Sequence, residues 1–208
     1  MKKFKGFEEA QKRAQYSGSS QLPVGGYVAK VQDVRYEEGQ NGNSDRIVVA
    51  FDIAEGEFAG FFKKQFDENQ NEDKKWKGKA IIYIPKDDGS QEDEWTQTAF
   101  ARWTNAFEDS NTGYKWDWQE KKWKGLLIGV IYGEVGTKIE GRYIKYTECR
   151  FPAAIKAIRE NTFKLPKFKA KNGFSEELFK AQADKASDDK LPDEFVNVPE
   201  GSLQEIPF

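Results

Sequence analysis

The chain has 208 residues, of which 38% are hydrophobic, 14% aromatic and 33% charged, and its net charge is −2 at pH 7. This length fits one medium-sized domain with extensions, or two small domains. Because there is no histidine and a single cysteine, Cys149, the sequence offers no disulfide framework, no zinc site of the usual ligands and no Ser–His or Cys–His catalytic pair. No apolar run approaches the ~20 residues that a membrane-spanning helix needs. The N-terminus also lacks the apolar stretch of a secretory signal, so we expect a cytoplasmic protein without a membrane partner.

The first part of the chain predicts β-structure after an N-terminal extension. Residues 2–15 are compatible with a short helix, and a Ser-rich linker follows them. Apolar and polar residues alternate over 27–34 and again over 46–54, with a break rich in Gly and Asn between them, which predicts two half-buried antiparallel strands. A third strand is predicted over 61–66, where aromatic residues and lysines stand side by side.

Periodicity predicts one long helix over residues 95–108. Its apolar positions form one stripe at helical spacing, which we expect to pack on the sheet: Trp95, Ala99, Trp103, Ala106 and Phe107. The other predicted elements are strands at 79–84, 126–132 and 142–150, a hairpin at 114–124, a Gly-containing loop at 133–141, short helical segments at 152–160 and 174–186, and a basic linker at 163–171.

The order of these elements predicts a mainly β protein. Three strands, a helix and two strands follow one another, which is the order of an OB-fold. We therefore expect an OB-fold-like five-stranded antiparallel barrel with one helix between strands 3 and 4, short terminal helices and a disordered acidic tail. Residues 184–208 carry seven acidic residues and two lysines, whereas the rest of the chain has a net charge of +3.

Aromatic residues and lysines interleave at 61–64, 74–77, 114–123 and 143–146. Single-stranded nucleic acids are bound by stacking bases on aromatic rings, at roughly 1–3 kcal/mol per base, along a path of Lys and Arg. One such cluster alone is more often structural, because Trp and Tyr bury large areas in ordinary cores. A domain of this size, however, has limited core volume for the rings of four clusters, so we expect some of them to contact a ligand. The candidate residues for binding a strand are Phe61, Phe62, Lys63, Lys64, Lys74, Lys75, Trp76, Lys77, Tyr83, Trp116, Trp118, Lys121, Lys122, Trp123, Tyr143 and Lys145.

The last four residues, Glu205, Ile206, Pro207 and Phe208, form the end of the acidic stretch 184–208. This end resembles the tail tip of bacterial single-stranded DNA-binding proteins. The resemblance implies that the terminal aromatic ring enters an apolar pocket on a partner protein, while the carboxylate meets a basic residue there. Only Glu205 is acidic among the four, where that family usually has several adjacent aspartates, which implies a weaker or different partner.

Three longer stretches, LPVGGYVAKVQDV, FDIAEGEFAGFFKK and AFEDSNTGYKWDW, resemble a family of small phage-encoded proteins from Gram-positive hosts. The resemblance runs from about residue 22 to about residue 167. It implies an accessory of phage DNA replication or recombination in the host cytoplasm, with single-stranded DNA and replication or recombination proteins as partners. It supplies no residue-level site.

These observations divide the chain into four parts. Residues 1–21 are an extension and linker, 22–160 a nucleic-acid-binding domain, 161–183 a basic linker with a short helix, and 184–208 a partner-binding tail. The oligomeric state stays open, and a homo-oligomer is among the alternatives.

Two other functions compete with strand binding. Asp52, Glu55 and Glu57 lie close in sequence, and a metal-dependent nuclease needs acids that converge on one point. A solvated turn is the commoner setting for such acids, and no phosphate-binding GxxxxGK[ST] loop occurs. We therefore expect no enzymatic activity, no metal and no cofactor. A protein-interaction module that binds no nucleic acid is the second alternative.

Overall fold

The computed structural model describes residues 21–40, 43–71 and 73–188. Its strands are β1 (Gly25–Glu37), β2 (Arg46–Ile53), β3 (Lys79–Tyr83), β4 (Leu127–Ile139), β5 (Arg142–Ala153) and β6 (Lys169–Ala170). Its helices are α1 (Phe61–Glu68), α2 (Gln91–Ser110), α3 (Ile155–Arg159) and α4 (Glu176–Asp188), with a 3₁₀ turn at Glu120–Trp123. The predicted helix at 2–15 and the proposed tail tip at Glu205 to Phe208 lie outside the described residues.

The protein is mixed α/β, with one open sheet in the strand order β3-β2-β1-β4-β5. Neighbouring strands of this path are antiparallel, and β6 adds a short parallel pairing to β4. The predicted strands at 27–34, 46–54, 79–84, 126–132 and 142–150 are confirmed, as is a helix between the third and fourth strands. The sheet is not closed into a barrel, because β3 and β5 end the pairing path and do not pair with each other within the described residues.

One face of the sheet forms the main core. Val31 of β1, Val49 and Phe51 of β2 and Val130 of β4 are fully buried there. Helix α2 covers them with Trp103, Ala106 and Phe107, as its periodicity predicts. The first half of the predicted stripe is wrong, because Trp95 is 64% exposed and Ala99 is also exposed; Phe100 takes the buried position instead.

The predicted third strand at 61–66 is wrong, because these residues form helix α1. Gly60 turns the chain with a left-handed φ of 74°. The carboxylate of Asp52 then accepts hydrogen bonds from the backbone N–H groups of Phe62 and Lys63 and satisfies the first turn. Phe62 packs on Phe51 with a ring distance of 5.9 Å, so the aromatic residues serve the core. The third strand of the sheet is the segment predicted as an extra strand, now β3.

The predicted hairpin at 114–124 is also wrong. Residues 114–119 include no strand, and the chain enters the 3₁₀ turn after Trp118, whose φ is 62°. Trp123 is fully buried and stacks on Phe107 at 4.5 Å, and Trp116 lies 4.8 Å from it. A packed loop buries these large rings more completely than a two-stranded ribbon does, and this burial favours the loop.

The predicted loop at 133–141 is wrong as well, because β4 continues to Ile139 and the reversal is confined to Glu140 and Gly141, which both have positive φ. The glycines that suggested a loop lie inside the strand because other chain segments approach closely. A Cβ on Gly133 would lie 2.3 Å from Cγ of Pro166, and one on Gly136 would lie 2.6 Å from the ring of Phe168.

Residues 155–188, called here the C-terminal segment, cover the second face of the sheet over β4, β5 and the start of β1. Ile158 and Phe163 lie against Gly26, where an added Cβ would approach the Phe163 ring to 2.6 Å. Lys169 pairs with Val135 along the edge of β4 that continues beyond its pairing with β1. Within the described residues, no helix is long and apolar enough to cross a bilayer.

Candidate nucleic-acid interface

The second face of the sheet carries nine aligned side chains on β1, β2 and β3. Cross-strand pairing places them in three rows, since residues directly opposite each other share a face. The rows are Asp33, Ala50 and Lys79; Arg35, Val48 and Ile81; and Glu37, Arg46 and Tyr83. These nine residues are called the β1–β2–β3 face, and all of them are half-buried or exposed.

The centre of the β1–β2–β3 face is apolar and its periphery is charged. Val48, Ile81 and Tyr83 are half-buried, whereas Arg35 and Lys79 are exposed. An apolar and aromatic floor with cations around it can hold bases and phosphates at the same time. The C-terminal segment lies over the other half of this side of the sheet, above β4, β5 and the start of β1.

Arg35 and Arg46 of this face form ion pairs with neighbouring carboxylates. Nε of Arg46 lies 2.8 Å from Glu37 and Nε of Arg35 lies 3.3 Å from Asp33. Nζ of Lys124, which follows the 3₁₀ turn, lies 3.8 Å from the same Asp33 carboxylate. The two pairs of Asp33 are solvent-exposed, and such pairs contribute about 0–1 kcal/mol, so a phosphate group can compete for Arg35 and Lys124 at low cost. The Arg46–Glu37 pair is half-buried.

The turn between β1 and β2 is fixed at the end of the β1–β2–β3 face by Asp45. Its carboxylate accepts hydrogen bonds from the Tyr36 hydroxyl and from the backbone N–H of Gly39, and these bonds lower the pKa of Asp45. The Asp45 carbonyl accepts a bond from the N–H of Ile84 at 2.8 Å. The turn is thereby tied to the end of β3.

The first predicted cluster, Phe61 to Lys64, lies on α1. Phe62 is buried and Phe61 packs on its ring at 5.1 Å, so the two aromatic rings belong to the core. Lys63 and Lys64 are exposed and pair with Asp67 and Glu68 one turn further along. The cluster therefore presents two lysines to solvent, while its rings pack inside.

The second predicted cluster, Lys74 to Lys77, lies in the loop before β3. The indole N–H of Trp76 donates to the carbonyls of Phe51 and Gly78, both at 3.0 Å, which fastens the loop to the end of β2. Nζ of Lys74 lies 4.6 Å from the ring centre of Phe66, and Lys75 and Lys77 are exposed. Trp76 thus has a structural role beside exposed cations.

The third predicted cluster separates by burial. Trp123 is fully buried and Trp116 is half-buried, whereas Trp118 is 77% exposed. The Trp118 indole stacks on Phe100 at 6.2 Å and leaves its other face to solvent. Lys121 and Lys122 are exposed in the same turn, and Lys122 is paired with Asp117.

The fourth predicted cluster, Tyr143 and Lys145, packs under the C-terminal segment. The side-chain amide of Gln182 accepts from the N–H of Tyr143 and donates to its carbonyl. Nζ of Lys145 lies 2.8 Å from Glu176 and 5.2 Å from the ring centre of Phe168. Both residues join α4 to β5.

Of the sixteen residues predicted to bind a strand, only Tyr83 lies on the β1–β2–β3 face. Its companions there, above all Arg35, Arg46 and Lys79, were missed by sequence reasoning. The signal that could have found them is the polar side of the alternating strands, which carries Arg46, Val48 and Ala50 in β2.

The acids of the alternative nuclease site have other partners. Asp52 is 7% exposed and accepts hydrogen bonds from three backbone N–H groups, those of Ile53, Phe62 and Lys63. Glu55 forms a two-bond ion pair with Arg159, whose guanidinium lowers the pKa of Glu55. No cluster of three or more potential metal ligands occurs among the described residues. These contacts give Asp52 and Glu55 structural roles.

Comparison with known proteins gives this chain no family. No family model matches it, and no curated protein matches it either. Its function is therefore inferred from the geometry of the β1–β2–β3 face.

Proposed function

We propose that this protein binds single-stranded DNA without strong sequence preference, as a non-enzymatic accessory of phage DNA replication or recombination. The observation that carries the proposal is the β1–β2–β3 face, where Tyr83 and an apolar centre lie among Arg35, Arg46 and Lys79. The strand path, with a helix between β3 and β4, is the order that we would expect of an OB-fold whose third and fifth strands do not pair. Domains of that type bind oligonucleotides on the face of strands 2 and 3 and with the adjoining loops.

The chemistry of the face suits an unpaired strand. A base can stack on Tyr83 and contact Val48 and Ile81. The backbone phosphates can replace the carboxylates of Asp33 and Glu37 as partners of Arg35 and Arg46. Trp118, which offers one open indole face near exposed lysines, is a second stacking position. Neither contact reads base identity, so the binding tolerates sequence and weakens with salt.

Titration with oligo-dT, followed by tryptophan fluorescence and anisotropy, tests this proposal. Because stacking contributes roughly 1–3 kcal/mol per base, Tyr83→Ala should weaken binding by about 5- to 150-fold. Arg35→Gln should reduce the slope of log affinity against log salt by about 1. Lys156→Gln is the matched charge control, because this lysine is 80% exposed on α3, away from the face, and its variant should bind as wild type does.

The proposal is rejected if wild-type protein shows no salt-dependent binding of oligo-dT at low ionic strength. It is also rejected if folded Tyr83→Ala and Arg35→Gln proteins keep wild-type affinity and salt slope. Urea unfolding of each variant establishes that the protein is folded.

For the acidic stretch 184–208 we propose recruitment of a replication or recombination protein, through Glu205 to Phe208. This part of the proposal rests on the resemblance of the sequence to bacterial single-stranded DNA-binding tails. Deletion of residues 206–208 should leave oligo-dT affinity unchanged and abolish capture of a partner in a pull-down. Loss of DNA affinity on deletion would contradict recruitment as the role of these residues.

A protein-interaction module is the second candidate, and the β1–β2–β3 face itself favours it. Protein–protein interfaces also have an apolar centre surrounded by charged residues, and the rim of this face contains both acidic and basic side chains. In that case oligo-dT would not bind, and Val48→Asp would abolish binding of a protein partner.

A further inference from the structure

Four charged side chains meet where the C-terminal segment crosses the β4–β5 hairpin. Glu148 and Arg150 lie two residues apart on β5, and Lys169 and Lys171 lie on either side of Ala170 in and just after β6. Nζ of Lys171 lies 3.0 and 2.9 Å from the two carboxylate oxygens of Glu148. Nε of Arg150 lies 3.7 Å from the same carboxylate. These four residues are called the Arg150 cluster.

The Arg150 cluster has more positive charge than its own carboxylate can compensate. Arg150 and Lys171 share Glu148, and no carboxylate of the described residues, Glu148 included, lies within salt-bridge distance of Lys169. Nη1 of Arg150 is buried without a hydrogen-bond partner among those residues. The pKa of Lys169 is lowered, first by burial and then by the nearby charges of Lys171 and Arg150. Among the described residues, the cluster therefore combines three cations with one carboxylate.

Arg150 and Lys171 are held in place by packing, which distinguishes them from ordinary surface cations, whereas Lys169 is exposed beside them. The side chains of Arg150 and Lys171 are only 14% and 17% exposed. The stem of Arg150 crosses Gly133, where a Cβ would lie 3.0 Å from its Cγ, and its guanidinium lies 5.8 Å from the ring centre of Phe151. Lys171 is fixed by a backbone bond from its N–H to the Gly136 carbonyl at 2.8 Å.

We propose that the Arg150 cluster is a phosphate-binding site. A guanidinium offers a planar fork of N–H donors for phosphate oxygens, and the two ammonium groups add point charges beside it. A phosphate group would compensate the excess positive charge and give Arg150 an acceptor. The site is separate from the β1–β2–β3 face, so phosphate binding here can be tested whether or not that face binds DNA. The phosphate belongs either to a DNA strand or to free phosphate, and the two sources share this chemistry.

Two assays on the full chain test the site and distinguish the sources. In the first, inorganic phosphate is titrated against chloride at matched ionic strength, with the melting temperature as the readout. In the second, oligo-dT affinity is measured across a salt series. Lys169→Gln is the principal variant, because Lys169 is exposed and its change should not disturb folding. Arg150→Gln is the second variant, and Lys164→Gln, exposed on the same segment, is the charge control.

We expect both variants to weaken binding in at least one assay by about fivefold or more, while Lys164→Gln behaves as wild type. Loss of the phosphate effect alone identifies free phosphate as the ligand. Loss of oligo-dT affinity, with a salt slope reduced by about 1, identifies a strand phosphate. If Lys169→Gln matches wild type in both assays, the site is refuted. A wild type that responds to phosphate but not to oligo-dT would refute the proposed function and leave this site standing.

Discussion

Replacement of Asp52 tests why residues 61–68 form a helix. Its Oδ1 accepts hydrogen bonds from the N–H groups of Ile53 and Phe62, both at 2.9 Å, and its Oδ2 accepts one from Lys63 at 3.2 Å. Asp52→Ala removes the helix cap, which costs about 0.5–2 kcal/mol. It also leaves buried donors unpaired, at about 1–3 kcal/mol each. Because the two costs overlap, we expect a loss of about 2–4 kcal/mol in the free energy of unfolding.

Urea unfolding, followed by tryptophan fluorescence, measures this loss as a lower midpoint with an unchanged slope. A chain of this size loses about 2–4 °C of melting temperature per kcal/mol, so the melting temperature should fall by about 4–16 °C. Asp52→Asn keeps one acceptor oxygen and should cost roughly half as much. Asp67→Ala is the control, because its exposed pair with Lys63 contributes at most about 1 kcal/mol. The reasoning is refuted if Asp52→Ala costs no more than Asp67→Ala.

Three further predictions concern packing, reactivity and pH. Gly136→Ala should cost about 1–3 kcal/mol and expose the C-terminal segment to trypsin, because its Cβ would lie 2.6 Å from the Phe168 ring; an unchanged cleavage rate would contradict this. Burial raises the pKa of the Cys149 thiol, so it should react slowly with Ellman's reagent at pH 8 until urea unfolds the chain, and fast native reaction would be the contrary result. The lowered pKa of Asp45 stabilises the fold above the carboxyl's unfolded pKa, and this contribution is lost as pH falls through the folded pKa. Tyr36→Phe should therefore raise the Asp45 pKa in a carbon-13 NMR titration, whereas an unchanged value would show that the hydroxyl is not its main partner.

The sequence by itself determined the elements that have a clear local period. Alternation over 27–34 and 46–54 predicts β1 and β2, and the spacing of Trp103, Ala106 and Phe107 predicts the packed face of α2. These patterns can be recognised in the sequence because the period of the apolar residues depends only on which side of one strand or helix is buried in the core. The same alternation carried a signal for the candidate site, since the side of β2 opposite the core holds Arg46 and Val48.

Only the tertiary structure decided the short aromatic segments and the cover of the sheet. Residues 61–66 suit a strand or a helix locally, and an acceptor from Asp52, ten residues before Phe62, satisfies the first turn of the helix. Trp118 and Trp123 are the same residue type five positions apart, yet one is exposed and the other is fully buried against Phe107. Which lysines and rings can meet a ligand depends on contacts between distant segments. Residue type and spacing carry no record of those contacts, because burial is a property of the packed chain.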